Sequence, residues 1–274
     1  MKQPRQIKLL ITGAHGLIGN LVYTQLVTKP QQYDVYGMAR DQQPSHNVAG
    51  NFASVPSEKL RIADLTDFAA VQRAVEGIDV VVHLAADPSG EGGWQSVLAN
   101  NIIGTQHLFE ASHQADVQRV IFASTNQVVF GYHDEEPYSR LFAGRYDDVD
   151  VDTLQPIDET QPTRPLNYYA CSKVFGEALA HMYAFTHGLS CICLRIGWVT
   201  PDDQLPDANA RMLWCSQRDI VQMVERCINA PASLRFDVFF AQSANRYNLV
   251  DIQHARELLG YDPQDNAEKR WEAS

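Results

Sequence analysis

Tyr169 and Lys173 stand four residues apart in "NYYACSKVFGEAL", a stretch whose apolar residues recur with helical spacing. One turn of helix puts the phenol and the amine on the same face. A free phenol titrates near ~10 and accepts no proton at neutral pH, but neighbouring positive charge favours the phenolate. Lowering that titration by about three pH units takes roughly 4 kcal/mol, within reach of two nearby cations in a partly dry site. The pair would then be a proton acceptor with its own counter-charge. The same spacing also fits an ordinary surface tyrosine and lysine on an amphipathic helix, so the elements upstream decide between the two readings.

Those elements begin with "TGAHGLIG", where Gly13, Gly16 and Gly19 lie between the apolar run "IKLLITG" and the helically spaced "LIGNLVYTQLVTK". Glycine there permits a tight turn and close approach of backbone to a pyrophosphate, which the helix N-terminus holds. The turn predicts a dinucleotide site. Further along, "YDVYGMAR", "KLRIAD", "DVVVHLAA", "RVIFAST" and "LSCICLRIG" read as strands. They alternate with the helical stretches "FAAVQRAVEG", "SVLANNIIGTQHLFEASHQA" and the tyrosine–lysine helix, read from about Tyr168 to His187. Strands apolar throughout, alternating with helices, form a parallel sheet covered on both faces. The predicted fold is α/β, a doubly wound parallel sheet over residues 1–197. Residues 198–274, read as much helix and tail, form a small substrate-binding part rather than an independent domain.

One stretch breaks the alternation. Between Asp134 and Glu159 there are nine acidic and two basic residues, in an insertion spanning about 132–165. It leaves the carboxyl end of a strand, where open α/β sheets bind ligands, so it reads either as a lid or as a solvated surface excursion. The net charge of −11 over 274 residues argues against nucleic-acid or anionic-membrane partners. No apolar run reaches membrane-spanning length, and the start reaches glycine too soon for a signal peptide, so a cytoplasmic location is expected. The cysteines at 171, 191, 193, 215 and 227 are an odd count without ligand spacing. They read as reduced thiols, and no metal is expected.

The glycine spacing is GxxGxxG, and from Ile7 to about Gly197 the ordered features resemble the extended branch of the short-chain dehydrogenase/reductase superfamily, the NAD-dependent epimerase/dehydratase family. The resemblance implies a Rossmann-type fold and a glycine turn that contacts the cofactor through Gly13, His15, Gly16, Leu17, Ile18 and Gly19. "ADL" resembles the turn that brackets the adenine, which implicates Asp64 and Leu65. "HLAA" resembles the strand end beneath the cofactor ribose, with Leu84, Ala85 and Ala86. "NNIIGT" is similar to the branch's "VNVxGT" and carries its active-site asparagine onto Asn101; "FAST" carries the serine/threonine position onto Thr125. Tyr169 and Lys173 complete the tetrad, and Ile196 is implied as a further cofactor contact. In this family the tyrosine is the general base, with the oxidised nicotinamide as the second cation. Lys173 also holds the nicotinamide ribose, Thr125 hydrogen-bonds the substrate oxygen, and Asn101 supports both. Relatives commonly dimerise, so a homodimer is expected.

Cofactor choice turns on "MARDQQ". An acidic residue at the end of the second strand binds a ribose 2′-hydroxyl, whereas an arginine accommodates a 2′-phosphate. Arg40 holds that position and Asp41 follows, which favours NADP, with NAD the alternative. Only 77 residues follow Gly197, short for a lobe that holds a nucleotide sugar. Within the extended branch the chain is most similar to uronate dehydrogenases and archaeal-type sugar dehydrogenases, which oxidise the C1 hydroxyl of a sugar to a lactone. Substrate positions implied by that resemblance are Ser89, Thr125, Asn126, Gln127, Trp198 and Arg211, the arginine facing a substrate carboxylate. Two positions depart from the uronate dehydrogenase pattern: Gln127 replaces a histidine and Trp198 a small serine. Trp198 reads equally as a pocket wall or a core residue. The other activities open to this tetrad are nucleotide-sugar epimerisation or dehydration with a retained cofactor, and non-catalytic cofactor sensing.

Overall fold

Seven strands of the computed structural model form one parallel sheet; the structure describes residues 5–45, 48, 50, 52–88 and 93–272. The strands are β1 (Ile7–Thr12), β2 (Tyr33–Ala39), β3 (Leu60–Ile62), β4 (Val80–His83), β5 (Arg119–Thr125), β6 (Ser190–Ile196) and β7 (Phe236–Ala241). Their order is β3-β2-β1-β4-β5-β6-β7, every neighbouring pair parallel. The chain winds outward from β1 to β3, then returns to β4 on the other side. A crevice therefore opens at the carboxyl ends of β1 and β4, where such sheets bind ligands. Register keeps the strand ends level: Thr12 pairs with His83, Thr125 with Ile196, and Ile196 with Ala241.

The helices are α1 (Leu17–Leu26), α2 (Phe68–Val75), α3 (Gly93–Ser96), α4 (Gly104–Gln114), α5 (Tyr138–Phe142), α6 (Tyr168–Met182), α7 (Gln217–Ile228), α8 (Gln253–Leu259) and α9 (Ala267–Glu272). On one face of the sheet, Val22 and Leu26 of α1 and Ile220 and Val224 of α7 share a core with Leu9, Ile11 and Ile192. On the other, Val71 of α2, Leu108 and Phe109 of α4 and Ala180 of α6 pack with Leu10, Val81 and Phe122. Helix α6 lies close to the sheet because residue 176 is glycine. A Cβ there would stand 2.1 Å from the Phe122 ring. It is also pinned by a buried ion pair, Glu177 to Arg195 of β6, with two bonds of 2.9 Å. Ser124 Oγ donates to the same carboxylate at 2.6 Å.

Two expectations change here. Residues 198–274 are not only helix and tail, because "FDVFFA" forms β7 and extends the sheet. The acidic insertion is not a solvated excursion either. It folds into α5 and the 3-10 turn Tyr146–Asp148, and buries Tyr138, Leu141, Tyr146, Val149, Leu154 and Ile157 in a third core. That core also contains Met212, Leu213, Phe240, Leu249 and Val250. Ile157 N donates to Leu249 O at 2.9 Å, and Ile157 O accepts from Asp251 N at 2.9 Å. Asp134, Glu135, Glu136, Asp147, Asp148, Asp150 and Asp152 are exposed around a packed apolar interior, while Glu159 reaches inward and accepts from Phe240 N at 3.1 Å, which fixes the insertion to the C-terminal part.

Candidate active site

The turn between β1 and α1 closes on itself and on the exit of β4. Gly13 has φ +69°, and a Cβ on it would sit 3.0 Å from Ala85 N; a Cβ on Gly19 would sit 2.1 Å from Gly13 O. Gly16 caps α1 with no side-chain hydrogen bond, which leaves the positive helix end, beginning at Leu17 and Ile18, to an outside anion. His15 is 6% exposed, and among the described residues neither ring nitrogen has a hydrogen-bond partner. Ser45 N, in the loop beyond β2, donates to His15 O at 2.8 Å. Arg40 is exposed immediately after β2 and takes part in no ion pair among the described residues. Asp64 is held below the usual carboxylate range, chiefly by the Thr66 hydroxyl and amide, with a smaller effect from Arg40. Asp41 accepts from Gln43 N at 2.8 Å.

Beneath this turn, Thr12 Oγ1 accepts from both Leu84 N and Ala85 N at 3.1 Å. Its own proton is therefore directed to His83 Nδ1, 2.8 Å away, which leaves Nε2–H of His83 facing Thr105 Oγ1 at 3.4 Å. Burial pushes His83 down to about 3, with Lys173 adding to the effect, so the imidazole is neutral. This chain of bonds fixes Leu84, Ala85 and Ala86 as the floor of the crevice. The orphaned His15 nitrogens, the α1 N-terminus without a side-chain cap, and Arg40 with no ion pair among the described residues fit a dinucleotide. Leu65, 6% exposed, borders the same side through His107, whose Nδ1 lies 2.8 Å from Leu65 O.

The four tetrad positions converge next to that floor. Thr125 ends β5 and hydrogen-bonds the Tyr169 hydroxyl. Lys173 lies one turn further along α6, 4% exposed, its ammonium 5.6 Å from the Tyr169 ring and 5.1 Å from the Phe122 ring. No carboxylate pairs with it among the described residues, and burial lowers it to about 8. Tyr169 is pushed up to about 12, first by burial and then by the Asp87 carboxylate, against the bond from Thr125. The chain alone thus leaves Tyr169 a phenol. The same burial that raises the phenol weakens the ammonium, so Lys173 by itself does not offset it.

Asn101 lies in a π-helical turn, Val97–Ile103, that joins α3 to α4. Such turns redirect a side chain that regular helix would aim elsewhere. Its Oδ1 accepts from Asp87 N at 2.7 Å, and its Nδ2 donates to Asp87 O at 3.0 Å and Ser172 Oγ at 3.1 Å. Ser172 Oγ in turn donates to Tyr169 O at 2.6 Å. Asn101 therefore ties the exit of β4 to the backbone of α6 and has both amide protons committed. Asp87 and Ser172 were not legible in sequence as parts of this cluster.

The substrate positions divide. Asn126, 2% exposed, donates to Gln242 Oε1 at 2.6 Å, while its own Oδ1 lacks a partner among the described residues. Gln242 Nε2 continues to Met212 O at 2.5 Å, linking the end of β5 to the 3-10 turn Ala208–Met212 that carries Arg211. Gln127 accepts from Asn167 Nδ2 at 2.9 Å, and Asn167 caps α6 by accepting from Ala170 N at 2.7 Å. Ile196 is buried at the end of β6 beside Thr125. Trp198 is 45% exposed, its N donating to Leu213 O at 2.7 Å; it is not a core residue. Arg211 is half-buried, its guanidinium over the rings of Tyr146 and Trp271, 5.3 and 5.0 Å away. Its Nε lacks a partner and it forms no ion pair among the described residues. Ser89 lies outside the described residues.

The sequence model of the NAD dependent epimerase/dehydratase family matches residues 9–220. The chain belongs to this family. Within it, the chain is 33% identical to an NAD-dependent glucose-6-phosphate dehydrogenase of Haloferax volcanii, over 97% of this chain and 95% of that protein. It is 32% identical to an L-arabinose 1-dehydrogenase (NAD(P)+) of the same organism, over 95% and 97%. A crystal structure of a uronate dehydrogenase variant from Agrobacterium tumefaciens, complexed with NAD, superposes with a TM-score of 0.76 at 30% identity, over 98% of this chain and 89% of that one. Among the described residues, no helix is long and apolar enough to cross a membrane.

Proposed function

We propose that the protein is an NAD(P)-dependent sugar dehydrogenase that oxidises the C1 hydroxyl of a free sugar, uronic acid or sugar phosphate to a lactone. The observation that carries this reading is the cluster at the ends of β4, β5 and α6: Tyr169 hydrogen-bonded by Thr125, with a buried Lys173 that pairs with no carboxylate among the described residues. Support comes from the sugar dehydrogenases among its relatives. When bound, the nicotinamide supplies the hydride acceptor and a positive charge. Lys173 adds the second cation, and together they favour the phenolate that burial alone opposes. Tyr169 Oη takes the proton from the sugar C1 hydroxyl as the C1–H bond breaks, and Thr125 orients that oxygen. Asn101 holds the β4 exit against α6, so the phenol keeps its place. Trp198 walls the crevice, and Asn126 Oδ1 and Arg211 supply an acceptor and a positive charge to the sugar.

Arg40 supports NADP as the preferred cofactor, because it is exposed at the end of β2 and carries no ion pair among the described residues. The reading is tested with uronates, aldoses and sugar phosphates, each with NAD and NADP, by absorbance of reduced cofactor. Reduction with NADP favoured, and reversal of that preference in Arg40→Asp, are the expected results. Tighter NAD than NADP binding in the unmodified protein overturns the cofactor preference, and no reduction with any sugar overturns the activity.

A further inference from the structure

The surroundings of Arg211 come from parts of the chain that the tetrad does not use. Tyr146 belongs to the acidic insertion, and its ring stands 5.3 Å from the guanidinium. Its hydroxyl donates to Asn209 O at 2.9 Å and accepts from Met212 N at 3.3 Å, so it bonds the backbone on both sides of Arg211. Tyr146 is itself 4% exposed and rests against Tyr247, with ring centroids 5.0 Å apart. The guanidinium also lies over the ring of Trp271 of α9, at 5.0 Å. A planar cation over two aromatic faces is attracted by both and loses rotational freedom, without having its charge neutralised. The Glu268 carboxylate, also on α9, acts on Tyr146 but forms no ion pair with Arg211; Glu268 Oε2 accepts from Arg246 N at 2.9 Å. The turn that bears Arg211 is joined to the tetrad end of the sheet through Met212 O, Gln242 and Asn126, and through Leu213 O and Trp198 N.

We propose that Tyr146 and Trp271 are specificity-positioning residues, an aromatic clamp that holds Arg211 as the counter-charge for an oxyanion carried by the sugar. The insertion and the C-terminal helix thereby set the charge preference of the site from outside the tetrad. This rests on the reading of Arg211 as a substrate residue. The oxyanion is a carboxylate or a phosphate, since a guanidinium takes either.

The experiment measures kcat/KM for glucose 6-phosphate, glucuronate and glucose in the unmodified protein, Arg211→Ala, Tyr146→Phe and Trp271→Leu, with thermal denaturation of each. Arg211→Ala should abolish any preference for the charged sugars. Trp271→Leu, at a position 38% exposed, should keep its denaturation temperature yet lower the ratio of charged to neutral kcat/KM about tenfold, chiefly through KM. Tyr146→Phe keeps the ring and loses the two backbone ties, so it should lower the ratio less. The glucuronate and phosphate arms identify which oxyanion is served. A selective effect of Arg211→Ala with an unchanged ratio in both aromatic variants overturns the clamp and leaves Arg211 as a substrate residue. An unchanged ratio in Arg211→Ala overturns both. Equal losses on charged and neutral sugars in Trp271→Leu assign it a purely structural role and overturn the clamp.

Discussion

Lys173 carries a cost that the site needs. Its ammonium is buried with no paired carboxylate among the described residues, and burial lowers it to about 8, against 10.5 for a free lysine. A group whose proton is held less tightly when folded destabilises the fold wherever it is charged in both states, here below pH 8. The size is about 3 kcal/mol by the usual conversion. Between pH 8 and 10.5 the folded state loses its proton first, so stability attributable to this residue rises with pH. Lys173→Met should therefore be more stable than the unmodified protein at pH 7, with the gain shrinking as pH approaches 10.5. Urea unfolding at pH 7 and pH 10 measures both; an equal gain at the two pH values, or a loss at pH 7, contradicts the burial argument. The four-residue spacing to Tyr169 was legible in sequence. The depth of burial was not, because it depends on Gly176 letting α6 approach Phe122.

Among the elements, α6 matters most, and its placement is bought with a buried charge pair. Glu177 and Arg195 are both under a tenth exposed, so removing one partner leaves the other uncompensated, at about 3 kcal/mol or more. Glu177→Gln should lower unfolding stability by that order in denaturant titration, whereas Glu177→Leu with Arg195→Met should recover most of it. A single variant as stable as the unmodified protein would show that Ser124 and the apolar contacts hold the helix alone. The strands β1, β2, β4, β5 and β6 were legible because buried parallel strands read as unbroken apolar runs. The run "FDVFFA" has the same character, so β7 was open to the same reading. The π-helical turn at Asn101 has no such signature, since its apolar residues satisfy ordinary helical spacing.

At the scale of the whole molecule, the insertion and the C-terminal part are bound through one apolar core. The apolar residues from Tyr132 to Ile157 follow neither helical nor strand periodicity and are scattered among seven acidic residues, so they read as a loop until their partners at 212–252 are in place. Replacing residues 138–157 by a short turn would expose Met212, Leu213, Phe240 and Val250. The expected outcome is a lower melting temperature and binding of a hydrophobic dye, not a soluble enzyme that has merely lost a lid. Unchanged melting of the shortened chain would return the insertion to the lid reading, as would substrate-dependent hydrogen exchange in α5.

Net turnover of cofactor tests the central claim most directly. A sugar with a free anomeric hydroxyl and its methyl glycoside are each offered with NADP or NAD to the unmodified protein and to Tyr169→Phe. The account predicts reduced cofactor in proportion to free sugar consumed and none from the glycoside. It also predicts a fall in turnover of at least about a hundredfold in Tyr169→Phe, the scale of losing a general base, with dinucleotide affinity little changed. Near-normal turnover in Tyr169→Phe, or sugar converted without net reduction of cofactor, would contradict it.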